Sequence, residues 1–183
     1  MHTSILEQQY IEKVIPSLRK QFGYKNVMQV PRIEKVVVNV GYGRKHKEKA
    51  FIEHTGKTLL AITGQKPTHN VSRKSIANFK IRDGVNIGVS VTLRGRAMYE
   101  FLFRLIHLTL PRVRDFRGLS PKAFDKKGNF TLGFKEQTAF PEITSEMADI
   151  VHGLEVTVVT SANSVDEGRA LLTELGFPFK SAK

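Results

Sequence analysis

Arg73, Lys74, Lys80 and Arg82 crowd cationic side chains into one short stretch, with Asp83 the only acid beside them. Ser72, Ser75, Asn78 and Phe79 are interleaved with them. Guanidinium and ammonium groups neutralise phosphates, and hydroxyls and amides bond to phosphates or base edges. A phenyl ring offers a face on which an unpaired base stacks. The stretch is too polar to build a core, so it reads either as a surface for single-stranded nucleic acid or as a solvated hairpin tip. A second candidate is Pro111-Arg112-Val113-Arg114-Asp115-Phe116-Arg117-Gly118. Its arginine forks suit phosphates and stack on bases, or else tie back to Asp115 and nearby carbonyls.

Other chemistries fail on spacing. Gly56-Lys57-Thr58 looks like the end of a phosphate-binding P-loop, but the glycine required five positions earlier is Phe51. Gly41 and Gly43 begin a dinucleotide fingerprint whose third glycine is replaced by His46. His46 and His54 have no histidine or carboxylate partner at helical spacing, which argues against a metal site. Asp125 and Asn129 lack the remaining carboxylates of a calcium loop. No serine, cysteine or histidine sits in a nucleophile motif. A nuclease or RNA-modifying enzyme, drawing on Asp115, Asp125 and Glu136, is the rival class, and intact RNA after incubation with protein and magnesium would dismiss it. No cofactor is expected.

Strands flank the basic stretch. Val85, Ile87, Val89, Val91 and Leu93 alternate with Asn86, Gly88, Ser90, Thr92 and Arg94, a strict period of two. Thr68 to Val71 is short and ambiguous, and together the two segments hold out the basic loop. The chain opens on a helix capped by Ser4, with Glu7 completing a capping box and Ile11, Val14, Ile15 and Leu18 as its apolar stripe. Pro16 should kink it or mark a break in it, and Gly23 should end it near Phe22. Ile33 to Val40 is a β-branched strand, and Ala50 to Thr63 a helix ended by Gly64. Arg96 to Leu110 is the main core helix, stopped by Pro111, with Phe101, Leu102, Leu105, Ile106 and Leu108 on its apolar face. Strands follow at Phe130 to Lys135 and Leu154 to Thr160. A short helix spans Thr144 to Val151, and a last helix is capped by Ser164. The expected order is α-β-α-β-β-α-β-α-β-α, in a single compact domain over 1–183. The fold class is α+β, an antiparallel sheet with helices on one face and RNA-binding loops and sheet surface on the other.

With 183 residues and 40% apolar content the chain buries a real core. It has no cysteine, which excludes disulfides and thiol chemistry. No apolar run approaches the roughly 20 residues that span a bilayer. The N-terminus has neither a secretory block nor the look of a transit peptide, so a soluble intracellular protein is expected. Net charge is +12, unevenly spread: Arg169 alone offsets eight acids over residues 136–179. A cationic part beside an anionic one suits a docked polyanion, nucleic acid ahead of membrane.

Several motifs then converge on one family. Val30-Pro31-Arg32, Val38 to Gly43 (VNVGYG), Ile62 to Pro67 (ITGQKP), Lys74-Ser75 with Phe79 to Arg82, Val91 to Arg94 and Leu110 to Leu119 (LPRVRDFRGL) occur in order. Phe140 to Ile143 and Gly176 to Phe179 extend the pattern. The chain resembles the bacterial large-subunit ribosomal protein L5 family, with family segments over about 24–82 and 84–179. The resemblance implies an α+β protein, not an enzyme, that grips 5S ribosomal RNA in the central protuberance of the cytoplasmic ribosome. Positions that contact that RNA look like Asn39, Gln65, Lys66, Phe79, Thr92 and Arg94. The loop carrying Arg73, Lys74, Ser75, Asn78, Lys80 and Arg82 looks like the family's contact to transfer RNA in the peptidyl site. Arg112, Arg114, Phe134 and Pro141 mark the side that meets a small-subunit head protein across an intersubunit bridge. Implied partners also include large-subunit RNA and the neighbouring 5S-binding proteins, with no membrane. A free RNA-binding regulator or RNA chaperone of translation is the alternative. One departure stands out. Family members often carry acidic or small residues after Gly43, where this chain has Arg44, Lys45, His46 and Lys47.

Overall fold

The computed structural model describes residues 4–180; the side chain of Arg44, part of the basic run after Gly43, lies outside the described residues. Five strands, β1 (Ile33–Gly41), β2 (Thr68–Val71), β3 (Asn86–Leu93), β4 (Phe130–Phe134) and β5 (Leu154–Thr160), form one antiparallel sheet in the order β2-β3-β1-β5-β4. With the helices between them, the expected α+β class and order of elements both hold. Alternation decides the faces. Val36, Val38 and Val40 of β1 and Val89, Val91 and Leu93 of β3 are buried, whereas Val37 and Asn39 are half-buried and Thr92 is exposed. Gly88 breaks the pattern because a Cβ there would sit 3.1 Å from the Val40 carbonyl oxygen.

Two compact units divide the chain. One holds residues up to Val36, Leu93–Leu132 and Thr157 onward. Its first helical run, α1, is made of Ile5–Gln9, a π-turn at Tyr10–Val14 and Ile15–Phe22. Ser4 caps it by accepting from the Glu7 amide, as expected. Another run, α3, joins Gly95–Arg104, a π-turn at Leu105–Thr109 and Leu110–Arg112. The two runs share one device. Ile15 donates to the Tyr10 carbonyl and Leu110 to the Leu105 carbonyl, and in each case a proline follows at once, Pro16 or Pro111. A proline ring inside a helix clashes with a preceding carbonyl and cannot donate. A widened turn ahead of it accommodates both defects, so α3 continues past Pro111 to Arg112 where a stop was expected. The inserted residue also shifts the helical phase. Ile11 and Leu108, placed on apolar stripes by unbroken periodicity, are 54% and 46% exposed.

Val165–Glu174 forms the last helix, α5, capped by Ser164 through the Glu167 amide. Its Gly168 lies against Gly128, with a Cβ on Gly128 only 2.6 Å from the Ser164 carbonyl oxygen. Leu119 donates to the Pro178 carbonyl at 2.8 Å and accepts from Lys180 at 2.9 Å, which pins the Arg112–Leu119 motif to the C-terminal Gly-Phe-Pro-Phe motif.

The second unit is Val37–Thr92 with Gly133–Val156. Its main helix, α2 (Lys49–Thr63), buries Phe51, Thr55, Leu59 and Ile62 along one face. Gly64 ends it in the left-handed region at φ 70°, where a side chain is strained, so the chain turns directly into Gln65, Lys66 and β2. A short helix, α4 (Ser145–Ala148), is briefer than the Thr144 to Val151 expected.

Candidate nucleic-acid interface

Strands β2 and β3 pair antiparallel, Thr68 with Ser90, His69 with Val89 and Asn70 with Gly88, and the register slips between Asn70 and Val71. Asn70 and Ser90 hold each other across the pair at 3.1 and 3.3 Å. The basic loop leaves this hairpin at a closed base. Ser72 donates its amide to the Val85 carbonyl at 2.8 Å, and Gly84 returns a bond to the Ser72 carbonyl at 3.0 Å. Further out, the Ser75 hydroxyl accepts from the Asp83 amide at 2.9 Å, and Ile76 pairs with Ile81. The tip is a single turn, Ala77–Phe79, closed by Lys80 at φ 53°. A non-glycine residue there carries backbone strain that the surrounding pairing must hold.

This bracing presents the predicted side chains outward. Arg73, Lys74, Ser75, Asn78, Lys80 and Arg82 are all exposed, and Phe79 is 68% exposed. Among the described residues none of these four cations is held in an ion pair. A phenyl ring in water beside uncompensated cations is costly for a solvated tip and suited to a stacked, negatively charged strand.

Asn39 is half-buried on the alternate face of β1, and Thr92 is exposed near the end of β3. Gln65 and Lys66 are exposed just after α2, the Gln65 amide bonded to the Thr63 hydroxyl at 3.3 Å. Arg94 is exposed at the start of α3. Arg112 and Arg114 are exposed in the first unit, and Asp115 beside them has φ 52° and forms no ion pair among the described residues. In the second unit Pro141 is exposed, whereas Phe134 is buried and meets Phe140 edge-on at 5.2 Å between ring centres.

The sequence reading missed a cavity of about 980 Å³ between the loop tip and the segment after β1. Tyr42 and Phe51 line it, with ring centres 6.4 Å apart, and Lys45 Nζ lies 4.5 Å over the Phe51 ring. His152, 6% exposed, lies 6.2 Å from Phe51 and 5.9 Å from His54, edge to face. Burial pushes the His152 pKa below its ordinary value, with His54 adding to the effect. Gln137, fully buried, fixes this wall by donating to the Ile150 carbonyl and accepting from the His152 amide, both at 2.8 Å. His54 had no partner at helical spacing because its neighbour is remote in sequence. The basic run after Gly43, whose Lys45, His46 and Lys47 line this cavity beside Asn78, Phe79 and Lys80 of the loop tip, was a signal in the sequence pointing here. No group of three or more metal-ligating side chains occurs among the described residues, and no helix of the described residues is long and apolar enough to cross a membrane.

Two family models match the chain: Ribosomal protein L5 over residues 26–82 and the C-terminus of the ribosomal L5 family over residues 86–179. Among curated relatives, the large ribosomal subunit protein uL5 of Colwellia psychrerythraea is 53% identical over 175 residues, covering 96% of this chain and 97% of that protein. That of Kocuria rhizophila is 54% identical over 179 residues, covering 98% and 95%. The Halothermothrix orenii protein is 51% identical, covering 96% and 98%.

Proposed function

The chain belongs to the ribosomal protein L5 family, and from that premise we propose that it is a structural, non-catalytic constituent of the large ribosomal subunit, built into that particle by binding ribosomal RNA. Its finer role is to bind 5S ribosomal RNA in the central protuberance through Asn39, Gln65, Lys66, Phe79, Thr92 and Arg94. The loop from Arg73 to Arg82 meets transfer RNA in the peptidyl site. Arg112, Arg114 and the surroundings of Phe134 and Pro141 meet a protein of the small-subunit head. Neighbouring 5S-binding proteins and large-subunit RNA complete the set of partners.

The observation that carries this reading is the braced loop, whose exposed Phe79 stands beside cations that form no ion pair among the described residues. Each phosphate neutralised contributes roughly 0.7 to 0.9 to the slope of log affinity against log salt, so binding is steeply salt-dependent. Competition tests the specificity. Purified protein should retain labelled 5S RNA against an excess of bulk transfer RNA at moderate ionic strength. Equal displacement by any RNA would instead favour a free regulator or chaperone.

A further inference from the structure

A groove of about 570 Å³ in the first unit takes no part in the RNA-binding reading. Tyr10 and Ile15 of α1 line it with Tyr24 and Val30. The tyrosines offer it ring carbon, because their hydroxyls are spent elsewhere. Tyr10 donates to the Pro31 carbonyl at 3.1 Å, and Tyr24 donates to Glu167 at 2.5 Å. Val27 and Met28 complete the lining and are 46% and 79% exposed.

These two residues sit on a closed turn. The Asn26 side chain accepts from the Met28 amide at 3.0 Å, and the Gln29 side chain accepts from the Asn26 amide at 3.4 Å, a capping box around Val27–Gln29. The Val30 amide closes the turn on the Val27 carbonyl at 3.1 Å. A braced turn that holds a valine and a methionine in water exposes apolar surface that burial would recover. Arg32 is the only charged side chain lining the groove among the described residues. Its backbone is locked to Ser161, donating to the hydroxyl at 3.0 Å and accepting from the amide at 2.9 Å. Its side chain is exposed and forms no ion pair among the described residues. Glu167 does not neutralise it, since that carboxylate is held by Tyr24 and by the Asn163 amide at 2.8 Å.

We propose that this groove docks a segment of another protein of the large subunit, one that sets an aliphatic side chain against Val27 and Met28 and a carboxylate against Arg32. For the source of its partner this rests on the assignment to that particle above. Charge and side-chain type select polypeptide over nucleic acid. An RNA strand carries a phosphate at every residue and is held by several cations, whereas a single guanidinium lines this groove. Bases stack on ring faces, whereas the exposed groups here are the branched carbons of Val27 and the thioether of Met28, which pack against aliphatic partners. The exposed side-chain amide of Asn163, without a hydrogen bond among the described residues, is free to pair with the partner's backbone.

The test compares the free full chain with purified large subunits. Hydrogen peroxide should convert Met28 to its sulfoxide readily in the free chain while buried Met98 resists, and Met28 should be protected in the subunit. A benzophenone amino acid in place of Val27 should crosslink within the subunit to one protein, in a peptide that contains Asp or Glu. A synthetic copy of that peptide should bind the full chain and lose about tenfold or more in affinity for Met28→Glu or Arg32→Glu, the loss of one apolar anchor or one charge pair. Exchanging the peptide's acid for lysine should restore binding to Arg32→Glu. Both side chains are exposed, so circular dichroism and 5S RNA affinity should stay unchanged in the two variants. Equal oxidation of Met28 in the free chain and the subunit would overturn the proposal. So would a crosslink to RNA alone, or a peptide indifferent to Arg32→Glu. A chain that never enters subunits would sink the proposal together with the assignment that supplies its partner, whereas one that enters them with Met28 still open to peroxide sinks the groove alone.

Discussion

Ile76 and Ile81 exchange both backbone hydrogen bonds, at 2.9 and 3.3 Å, across the neck of the basic loop. That one pair sets the aim of Phe79, because only Ala77 to Lys80 lie beyond it. Ile76→Pro removes the shorter bond and imposes a φ near −65° where the chain has −128°. The expected result is faster hydrogen exchange at residues 77–81 and weaker RNA binding, with the thermal midpoint unchanged. Unaltered exchange in the loop would show that the neck does not hold it.

Phe79→Ala should weaken 5S RNA binding by about 1–3 kcal/mol, the worth of a base stacked on an aromatic ring. Folding should be untouched, because the ring is mostly in water. Asn39→Ala should also lower affinity, because the proposed interface uses its amide to hold RNA. Calorimetric titration beside circular dichroism separates the two effects; full affinity in either variant removes that residue from the interface.

Replacing Arg73, Lys74 and Lys80 together by alanine should spare affinity for isolated 5S RNA more than it spares translation by assembled ribosomes. The salt slope should fall by about 0.7 for each phosphate left without its cation. Equal loss in both assays would argue against a division between 5S and transfer-RNA binding.

His152 makes the second unit sensitive to acid. Its folded pKa is depressed by burial below the 6.5 of an unperturbed imidazole. The unfolded chain therefore takes up the proton first as pH falls. The stabilisation is complete above about pH 6.5 and is lost progressively toward the depressed folded value. His152→Phe keeps a ring beside Phe51 and removes this titration, so denaturant midpoints between pH 7 and 5 (about the range in which imidazole titrates) should vary less than in the parent chain. An identical pH dependence would place the sensitivity elsewhere.

Gly168→Ala should destabilise the first unit by about 1–3 kcal/mol, the cost of overpacking, because the new methyl meets the Gly128 backbone. Urea unfolding measures it, and a change within error would mean that α5 can shift away from the turn at Gly128.

Local patterns settled most of the architecture. Ser4 and Ser164 cap helices, Gly64 ends one, and the alternation from Val85 to Leu93 marks a strand, because caps and periodicity act within a few residues. The basic loop was legible for the same reason: its cations, hydroxyls and phenylalanine are contiguous. The π-turns were not legible, since a proline announces a defect without saying whether the helix stops or widens around it. Ile11 and Leu108 were misplaced on that account.

Composition and local order, then, determined the α+β class, the order of elements and a cationic loop suited to RNA. Tertiary structure alone decided which distant residues share a wall: His152 against Phe51 and His54, Leu119 against the segment after Phe177, and Lys45 over an aromatic floor. The physical reason is range. Propensity and patterning are sums over neighbours in sequence, whereas a cavity and its electrostatics are sums over neighbours in space, and chain folding joins segments whose residue types carry no record of one another.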